Sequence, residues 1–151
     1  MKKTSFTVLM ADDDPEDCML VADAFKEVLE KSEFLTVEDG KELVDYLHRR
    51  GRYRKESSSP CPDLILLDLN MPRKSGREAL KEIRGHPPFK TIPIVVLTTS
   101  SADEDITLCY ARGANTFITK PMGFPELVDM VGALSRYWFE IAQLPSCGKQ
   151  A

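Results

Sequence analysis

The chain alternates between short apolar runs and segments whose apolar residues recur every three or four positions. Continuous apolar runs of this kind are typical of strands buried on both faces of a sheet, and the other spacing is typical of amphipathic helices. The predicted strands are residues 6–11, 34–37, 64–67, 92–97 and 116–119. Five such strand–helix units predict a parallel sheet covered by helices on both faces.

Local signals mark where several helices begin and end. Asp14 is placed to cap the first helix, with Pro15 at its first position and acids in its first turn. We expect the second helix to open at residues 39–40 and to stop at Gly51, and Ser101 has capping-box spacing for the fourth. Because the strands are parallel, the loops that follow them meet at the carboxyl edge, where ligands of open α/β sheets bind.

Length and composition narrow the class of protein. With 151 residues, of which 42% are hydrophobic and 29% charged, the chain is predicted to form one globular domain. The net charge of −4 gives no general reason to bind nucleic acid, and no apolar stretch approaches the ~20 residues of a membrane span. The first apolar run stops at Asp12, too early for a signal peptide, and the four cysteines form no CxxC pair. We therefore expect a cytoplasmic protein with reduced thiols, no membrane contact and no nucleic-acid partner.

The polar residues at the strand ends form a coherent set. Asp12 and Asp13 follow strand one, Asp68 follows strand three, Thr98 ends strand four and Lys120 follows strand five. Each alone has an ordinary structural explanation, such as a helix N-terminus or a solvated lysine. Together, the carboxylates would repel one another by up to ~4 kcal/mol per close pair at an effective dielectric near ~20. A lysine and a hard cation such as Mg²⁺ offset that repulsion, so the sequence predicts a metal-binding carboxylate site.

Four segments carry a family resemblance: "VLMADDDP", "LILLDLNMP", "IPIVVLTT" and "FITKP". In their order and spacing they resemble the landmark segments of receiver domains from two-component response regulators, over residues 6–136. The resemblance implies a flavodoxin-like, doubly wound (βα)5 fold with strand order 2-1-3-4-5. It also implies a phosphoacceptor protein that is not otherwise an enzyme and whose partner is a sensor histidine kinase.

The resemblance assigns roles at the predicted metal site. It implies that Asp68 is the phosphoacceptor. It further implies that Asp13 and Asp68 bind Mg²⁺ through their side chains, Asn70 through its backbone carbonyl, and Asp12 mainly through water. The apolar strand before Asp68 would then present a nucleophile at the edge of the sheet.

Three more residues are implied to respond to the phosphoryl group. Thr98 would hydrogen-bond one phosphoryl oxygen, and Lys120 would neutralise another beside a cis peptide bond to Pro121. Phe117 stands where receivers place an aromatic residue whose rotamer is coupled to activation. These positions predict a switch in the loops after strands four and five.

Three alternatives remain open at this point. A phosphohydrolase of the haloacid-dehalogenase type also has a nucleophilic Asp after an apolar strand, but it needs a second Asp where this chain has Asn70. A flavodoxin-like electron carrier needs a loop rich in hydroxyls and glycine where this chain has residues 12–14, all acidic. A receiver-like binding module that is never phosphorylated would keep the fold and lose the chemistry.

Peripheral segments resemble a narrower group. The long loop of residues 48–62, the stretch "KTIPIVVLTTS" and the ending "YWFEIAQLP" look like single-domain response regulators that partner bacterial and cyanobacterial phytochrome histidine kinases. That resemblance implies a signal of red and far-red light. The loop itself has five basic residues between Arg49 and Lys55, and it reads either as a docking loop for an acidic partner or as a solvated, flexible connection.

The C-terminal segment predicts a dimer. An apolar stripe at helical spacing is formed by Leu127, Val131, Leu134, Trp138 and Ile141. If helical, the last part of it projects roughly 12 Å beyond the receiver core, so that a two-fold pairing would bury its aromatic residues. The alternative is that the extension folds back over its own domain. We assign residues 1–145 to one receiver domain and 146–151 to a tail, with no room for a DNA-binding domain, so that output passes through protein contacts.

Overall fold

A computed structural model describes residues 5–55, 57 and 59–146 and has one parallel five-stranded sheet. The strands are β1 Phe6–Ala11, β2 Ser32–Val37, β3 Leu64–Leu67, β4 Ile94–Thr98 and β5 Thr116–Thr119. The helices are α1 Pro15–Val28, α2 Gly40–His48, α3 Gly76–Arg84, α4 Asp103–Ala111 and α5 Phe124–Ser135. The strand order β2-β1-β3-β4-β5 confirms the predicted fold class.

The three central strands are buried along their whole length, as their continuous apolar runs predict. Successive side chains of a strand point to opposite faces, so that Leu9 packs with α2 and α3, whereas Val8 and Met10 pack with α1 and α5. The two apolar layers therefore fix the register of β1 and β3, and with it the height at which Asp12 and Asp68 emerge.

Two predicted helix signals are wrong. Helix α2 ends before Gly51, because Arg49 adopts the left-handed conformation (φ 56°) and its N–H is bonded to the carbonyl of Tyr46. The N–H of Arg50 reaches the carbonyl of Asp45 at 2.9 Å, and this pair of bonds satisfies the helix end without glycine.

At the start of α4 the N-cap is Ala102, which has no side-chain cap, and not the predicted Ser101. The N–H of Ala102 is instead bonded to the hydroxyl of Ser100 at 3.3 Å.

The basic loop is partly engaged by its own domain. A 3₁₀ turn spans Gly51–Tyr53, and the exposed Arg52 pairs with Glu42 and lies over the ring of Tyr53. Residues 56 and 58 of the predicted 48–62 loop lie outside the described residues, as do residues 1–4 and 147–151. Cys61 forms a disulfide, so the expectation of reduced thiols is wrong there, whereas Cys18 and Cys109 are free. Among the described residues, no helix is long and apolar enough to cross a bilayer.

The predicted C-terminal stripe is interrupted by a π-helical turn at Arg136–Ile141. Its wider winding makes Phe139 the next buried apolar residue after Leu134, while Trp138 packs against the same layer but is only partly buried. Phe139 is 4% exposed and stacks on Phe6 with ring centroids 4.1 Å apart, whereas Ile141 is 61% exposed.

The chain then folds back onto its own domain, and the expected 12 Å projection is wrong. Leu144 packs against the core layer of α1 and α5, and Leu144 and Pro145 line a small cleft with Asp63 and Ile92 at the amino edge of the sheet. Of the large apolar side chains in the extension, Tyr137 and Ile141 stay exposed, whereas Trp138, Phe139 and Leu144 are at least partly covered by their own domain.

Candidate functional site

The structure brings together the polar residues that follow β1, β3 and β5. Carboxylate oxygens of Asp12, Asp13 and Asp68 lie within 4.8 Å of one another. Asp12 and Asp68 are buried, whereas Asp13 is exposed. Lys120 reaches the same point from β5, and its backbone N–H is bonded to the carbonyl of Thr98 at 2.7 Å. The parallel order of the strands accounts for this convergence, because the residues follow the adjacent strands β1 and β3 and, beyond β4, strand β5.

The Lys120 ammonium is the positive centre of the site. Its Nζ lies 2.8 Å from Asp12 Oδ2, 2.7 Å from Asp17 Oδ2 and 3.8 Å from Asp68 Oδ2. Burial lowers the pKa of Lys120, but hydrogen bonds to Asp12 and Asp17 and the charge of Asp68 together raise it above its usual value. The lysine is therefore a permanent cation held among three carboxylates.

Asp12 is only 2% exposed, and both of its carboxylate oxygens are used. Oδ1 accepts the backbone N–H of Asp14 at 2.9 Å, and Oδ2 accepts the ammonium of Lys120. Burial raises the pKa of Asp12, while the hydrogen bond from Lys120 acts in the opposite direction. With its oxygens so engaged, Asp12 fits a metal through an intervening water better than by direct contact.

Asp68 sits at the rigid end of β3 and is 7% exposed. Its backbone N–H is bonded to the carbonyl of Ala11, and its Oδ1 accepts the N–H of Leu69 at 2.9 Å. These bonds fix the carboxylate so that Oδ2 faces Lys120. Helix α3 also closes directly over this point, because a Cβ on Gly76 would overlap the carbonyl oxygen of Asp68.

The loop after Asp68 is held by the turn before α2. Arg73 has a positive φ of 63° and donates through Nε to the buried Asp39 at 2.7 Å. The N–H of Gly40 is bonded to the carbonyl of Lys74 at 2.9 Å, where a Cβ on Gly40 would collide with the same carbonyl. Two neighbouring loops at the carboxyl edge are thereby packed as one unit.

A polar network joins the β3–α3 and β4–α4 loops. Arg77 donates through Nε to Asp105 Oδ1 at 2.8 Å and through Nη1 to Asn70 Oδ1 at 3.4 Å. Asp105 also accepts the hydroxyl of Ser100 at 2.7 Å, and the hydroxyl of Thr119 donates to the carbonyl of Ser100. Hydrogen bonds from Arg77 and then from the serine lower the pKa of Asp105, so this carboxylate stays charged.

Sequence reasoning assigned no site role to Asp17, Arg77 or Asp105. Asp17 counted only as a first-turn acid of α1, although an acid on the turn that follows Asp12–Asp13 faces the same edge of the sheet. Arg77 and Asp105 are on different helices, and no local spacing signals their pairing.

The two remaining predicted features have mixed outcomes. Phe117 is partly buried against the layer formed by α2, α3 and α4, and its N–H is bonded to the hydroxyl of Tyr110 at 3.1 Å. The expected cis peptide bond between Lys120 and Pro121 is absent from the described residues, where every peptide bond is trans, the favoured form for X–Pro.

The donor set fits a hard divalent cation. The candidate ligands are three carboxylates, and Asn70 follows two residues after Asp68 with a further oxygen donor in its backbone carbonyl. Mg²⁺ and Mn²⁺ favour such oxygen ligands, and Mg²⁺ keeps several of its waters. The exposed position of Asp13 leaves access from solvent.

Comparisons with known proteins agree with this geometry. The family model of the response regulator receiver domain matches residues 8–132. The response regulator Rcp1 of Synechocystis is 37% identical over 139 residues, which cover 92% of this chain and 92% of that protein. The phosphorylated cyanobacterial phytochrome response regulator RcpA superimposes with a TM-score of 0.86 at 38% identity, covering 94% of this chain and 99% of its own.

Two further solved structures bear on the metal and on the signal. The Mn²⁺-bound form of Rcp1 aligns with a TM-score of 0.83 at 37% identity over 93% of this chain and 99% of that one. The response regulator RPA3017, which belongs to red light signalling of R. palustris, aligns with a TM-score of 0.87 at 31% identity over 93% and 98%. The likeness extends over almost the whole length of each structure.

Proposed function

The chain belongs to the response regulator receiver domain family, and on that premise we propose that Asp68 accepts a phosphoryl group from a sensor histidine kinase. The observation that carries the assignment is the position of Asp68. It directly follows β3, and its carboxylate lies beside Lys120 and the carboxylates of Asp12 and Asp13. Burying a carboxylate beside two others costs free energy, and such costly arrangements of ionisable groups are concentrated at functional sites.

The transfer needs little from the protein beyond positioning. An oxygen of Asp68 attacks the phosphorus of a phosphohistidine in line, the P–N bond breaks, and the electron pair returns to the imidazole nitrogen. Asp68 becomes an acyl phosphate, and the bond of its Oδ1 to the N–H of Leu69 leaves Oδ2, on the side of Lys120, as the attacking oxygen. Lys120 then lies close enough to neutralise part of the new charge.

A divalent cation completes the site, and we propose Mg²⁺. When bound, it would neutralise charge on the transferring group. The residues that would hold it are Asp13 and Asp68 through their carboxylates, Asn70 through its carbonyl and Asp12 through water. Support comes from the oxygen donor set and from the Mn²⁺-bound form of the relative Rcp1.

The switch is proposed to run through β4 and β5. The fully buried Thr98 ends β4 and Lys120 follows β5, so that a phosphoryl group on Asp68 would draw both loops toward it. Phe117 is only partly buried between them and the surface, which leaves its ring room to change rotamer. The product adds nearly two negative charges, enough to bias two arrangements of these loops.

We propose a phytochrome-type kinase as the partner and the cytoplasm as the location. The support for the kinase is the likeness over nearly full length to Rcp1, RcpA and RPA3017, two of which are described in terms of phytochrome or red light. Output is proposed to pass through protein contacts and not through nucleic acid or membrane. Residues 1–145 are proposed as the receiver unit, with 146–151 as a tail.

We also propose that the chain forms a homodimer through the C-terminal region, with Tyr137 and Ile141 as the exposed apolar residues of the contact. Tyr137 and Ile141 are 52% and 61% exposed one turn apart, and burying what remains exposed of each would contribute about 1–2 kcal/mol. We expect sedimentation velocity to give a dimer for the full chain and a monomer for the double variant Tyr137→Ser, Ile141→Ser. A full chain that stays monomeric at tens of micromolar, with and without phosphoryl donor, would contradict the dimer.

The test of the phosphoacceptor uses acetyl phosphate, Mg²⁺ and intact-mass measurement. We expect wild type to gain the mass of one phosphoryl group, Asp68→Asn to gain none, and excess chelator to abolish the gain. Asp23→Asn, an exposed acid on α1, is the control and should behave as wild type. A wild-type chain that gains no mass would instead indicate a receiver-like binding module.

A further inference from the structure

Asp17 makes a contact that the proposed transfer reaction does not use. Its Oδ2 lies 2.7 Å from the ammonium of Lys120, closer than the 3.8 Å between that ammonium and Asp68 Oδ2. The other close partner is Asp12 at 2.8 Å. The lysine is therefore held by two carboxylates that are not the phosphoacceptor.

The start of α1 fixes where Asp17 can lie. Asp14 caps the helix and accepts the N–H groups of Glu16 and Asp17 at 2.9 and 3.3 Å. A first-turn carboxylate is also favoured by the helix dipole, so Asp17 keeps its place without Lys120. It therefore acts as a fixed anchor for the mobile end of a long lysine side chain.

The two anchors of Lys120 differ in strength. The side chain of Asp12 is fully buried, whereas that of Asp17 is 33% exposed and is screened by solvent. When a second, stronger anion appears at Asp68, the contact with Asp17 is the one that Lys120 can most readily give up.

We propose that Asp17 is a positioning residue that holds Lys120 partly withdrawn from Asp68 and releases it when the phosphoryl group arrives. This inference rests on the proposed function of Asp68. Because the Asp17 contact exists before phosphorylation and is lost after it, Asp17 stabilises the unphosphorylated state relative to the phosphorylated one. Removing its charge should therefore favour retention of the phosphoryl group.

The first experiment measures decay of the phosphorylated protein by intact mass after acetyl phosphate is removed. We expect Asp17→Asn to retain the phosphoryl group about three- to fivefold longer than wild type. Asp17→Glu keeps the charge and should decay nearly as wild type does, and so should the control Asp23→Asn, which removes a charge from the same helix. Equal lifetimes in wild type and Asp17→Asn would overturn the inference while leaving the phosphoacceptor intact.

A double-mutant cycle separates action through Lys120 from a general change in charge. In a Lys120→Gln background, Asp17→Asn should no longer change the lifetime. A lifetime increase of the same size in that background would also overturn the inference, because the charge of Asp17 would then act without the lysine.

A spectroscopic readout covers the case in which Lys120→Gln accepts too little phosphate. The ammonium signal of Lys120 in a ¹H–¹⁵N spectrum is assigned by its loss in Lys120→Gln. We expect Asp17→Asn to shift this signal in the unphosphorylated protein, and we expect the two proteins to coincide once beryllofluoride, a phosphoryl mimic, is bound with Mg²⁺. Signals that coincide before addition, or that stay equally separated after it, would contradict release of the lysine.

Discussion

Both edges of the sheet hold a half-buried cation, but the groups around the two cations differ. At the carboxyl edge Lys120 lies among three carboxylates, and its pKa is raised. At the amino edge Arg84 donates to the carbonyls of Gly113, Phe89 and Lys90 and to the side chain of Asn115. Burial lowers the pKa of this arginine, and all four of these acceptors are neutral oxygens.

The difference separates a structural centre from a responsive one. Three of the four oxygens around Arg84 are backbone carbonyls, which are fixed by the path of the chain, so Arg84 joins α3 to the turns that precede β4 and β5. A lysine held by side-chain carboxylates can move from one carboxylate to another when the charge nearby changes. A half-buried cation among neutral oxygens therefore contributes to stability, whereas one among carboxylates can respond to a chemical change nearby.

The largest expected effect comes from the amino edge. Arg84→Met should lower the free energy of unfolding by about 2–4 kcal/mol, because several acceptors lose a charged donor. Per folded molecule, phosphoryl uptake from acetyl phosphate should not change. Urea denaturation checks the stability, with the exposed Arg54→Met as control. A large loss of phosphoryl uptake in folded Arg84→Met would contradict the claim that Arg84 contributes to stability alone.

An intermediate effect is expected where α3 covers the phosphoacceptor. A Cβ on Gly76 would overlap the carbonyl oxygen of Asp68, so that Gly76→Ala must move β3 or α3. We expect a loss of about 1–3 kcal/mol in stability together with at least a tenfold slower uptake. Gly132→Ala in α5 is the matched control, because its Cβ meets open space and alanine favours a helix by up to ~1 kcal/mol.

Stability and uptake should separate in these two variants. If Gly76→Ala lost stability alone, with uptake per folded molecule equal to that of Gly132→Ala, the position of Asp68 would not depend on its contact with α3.

The smallest expected effect concerns the Arg77–Asp105 pair, which joins the loops after β3 and β4. Asp105→Asn should cost less than ~1 kcal/mol of stability, because the pair is partly exposed. It should nevertheless shorten the phosphoryl lifetime about two- to threefold, since both loops beside Asp68 become looser. Asp45→Asn, which breaks a comparable pair with Lys41 on α2, is the control. Identical decay in the two variants would show that the network does not affect the carboxyl edge.

The sequence predicted the position of a residue correctly where that residue directly ends or follows a strand. Asp12, Asp68, Thr98 and Lys120 end or follow apolar runs, and parallel register brings such residues together. Local patterns were enough to predict the strands, their burial and most of the carboxyl edge, whereas the strand order came from the family resemblance.

Contacts between helices escaped prediction for a physical reason. The pairing of Asp17 with Lys120 and the cage of Arg84 depend on how distant elements pack, which no local spacing encodes. The π-helical turn escaped as well, because a stripe drawn with a period of 3.6 residues assigns the inward position to Trp138 and not to Phe139.

The stacking of Phe6 on Phe139 has a practical consequence for engineering. It places the first strand and the last turn side by side, at the end of the sheet opposite Asp68. A reporter domain joined directly before Phe6 or after Pro145 would therefore start from the amino edge of the sheet and leave the reactive carboxylate open to its donor. The same proximity makes the chain a candidate for circular permutation or for insertion into a loop of a host protein, since both connections would leave and re-enter at one place.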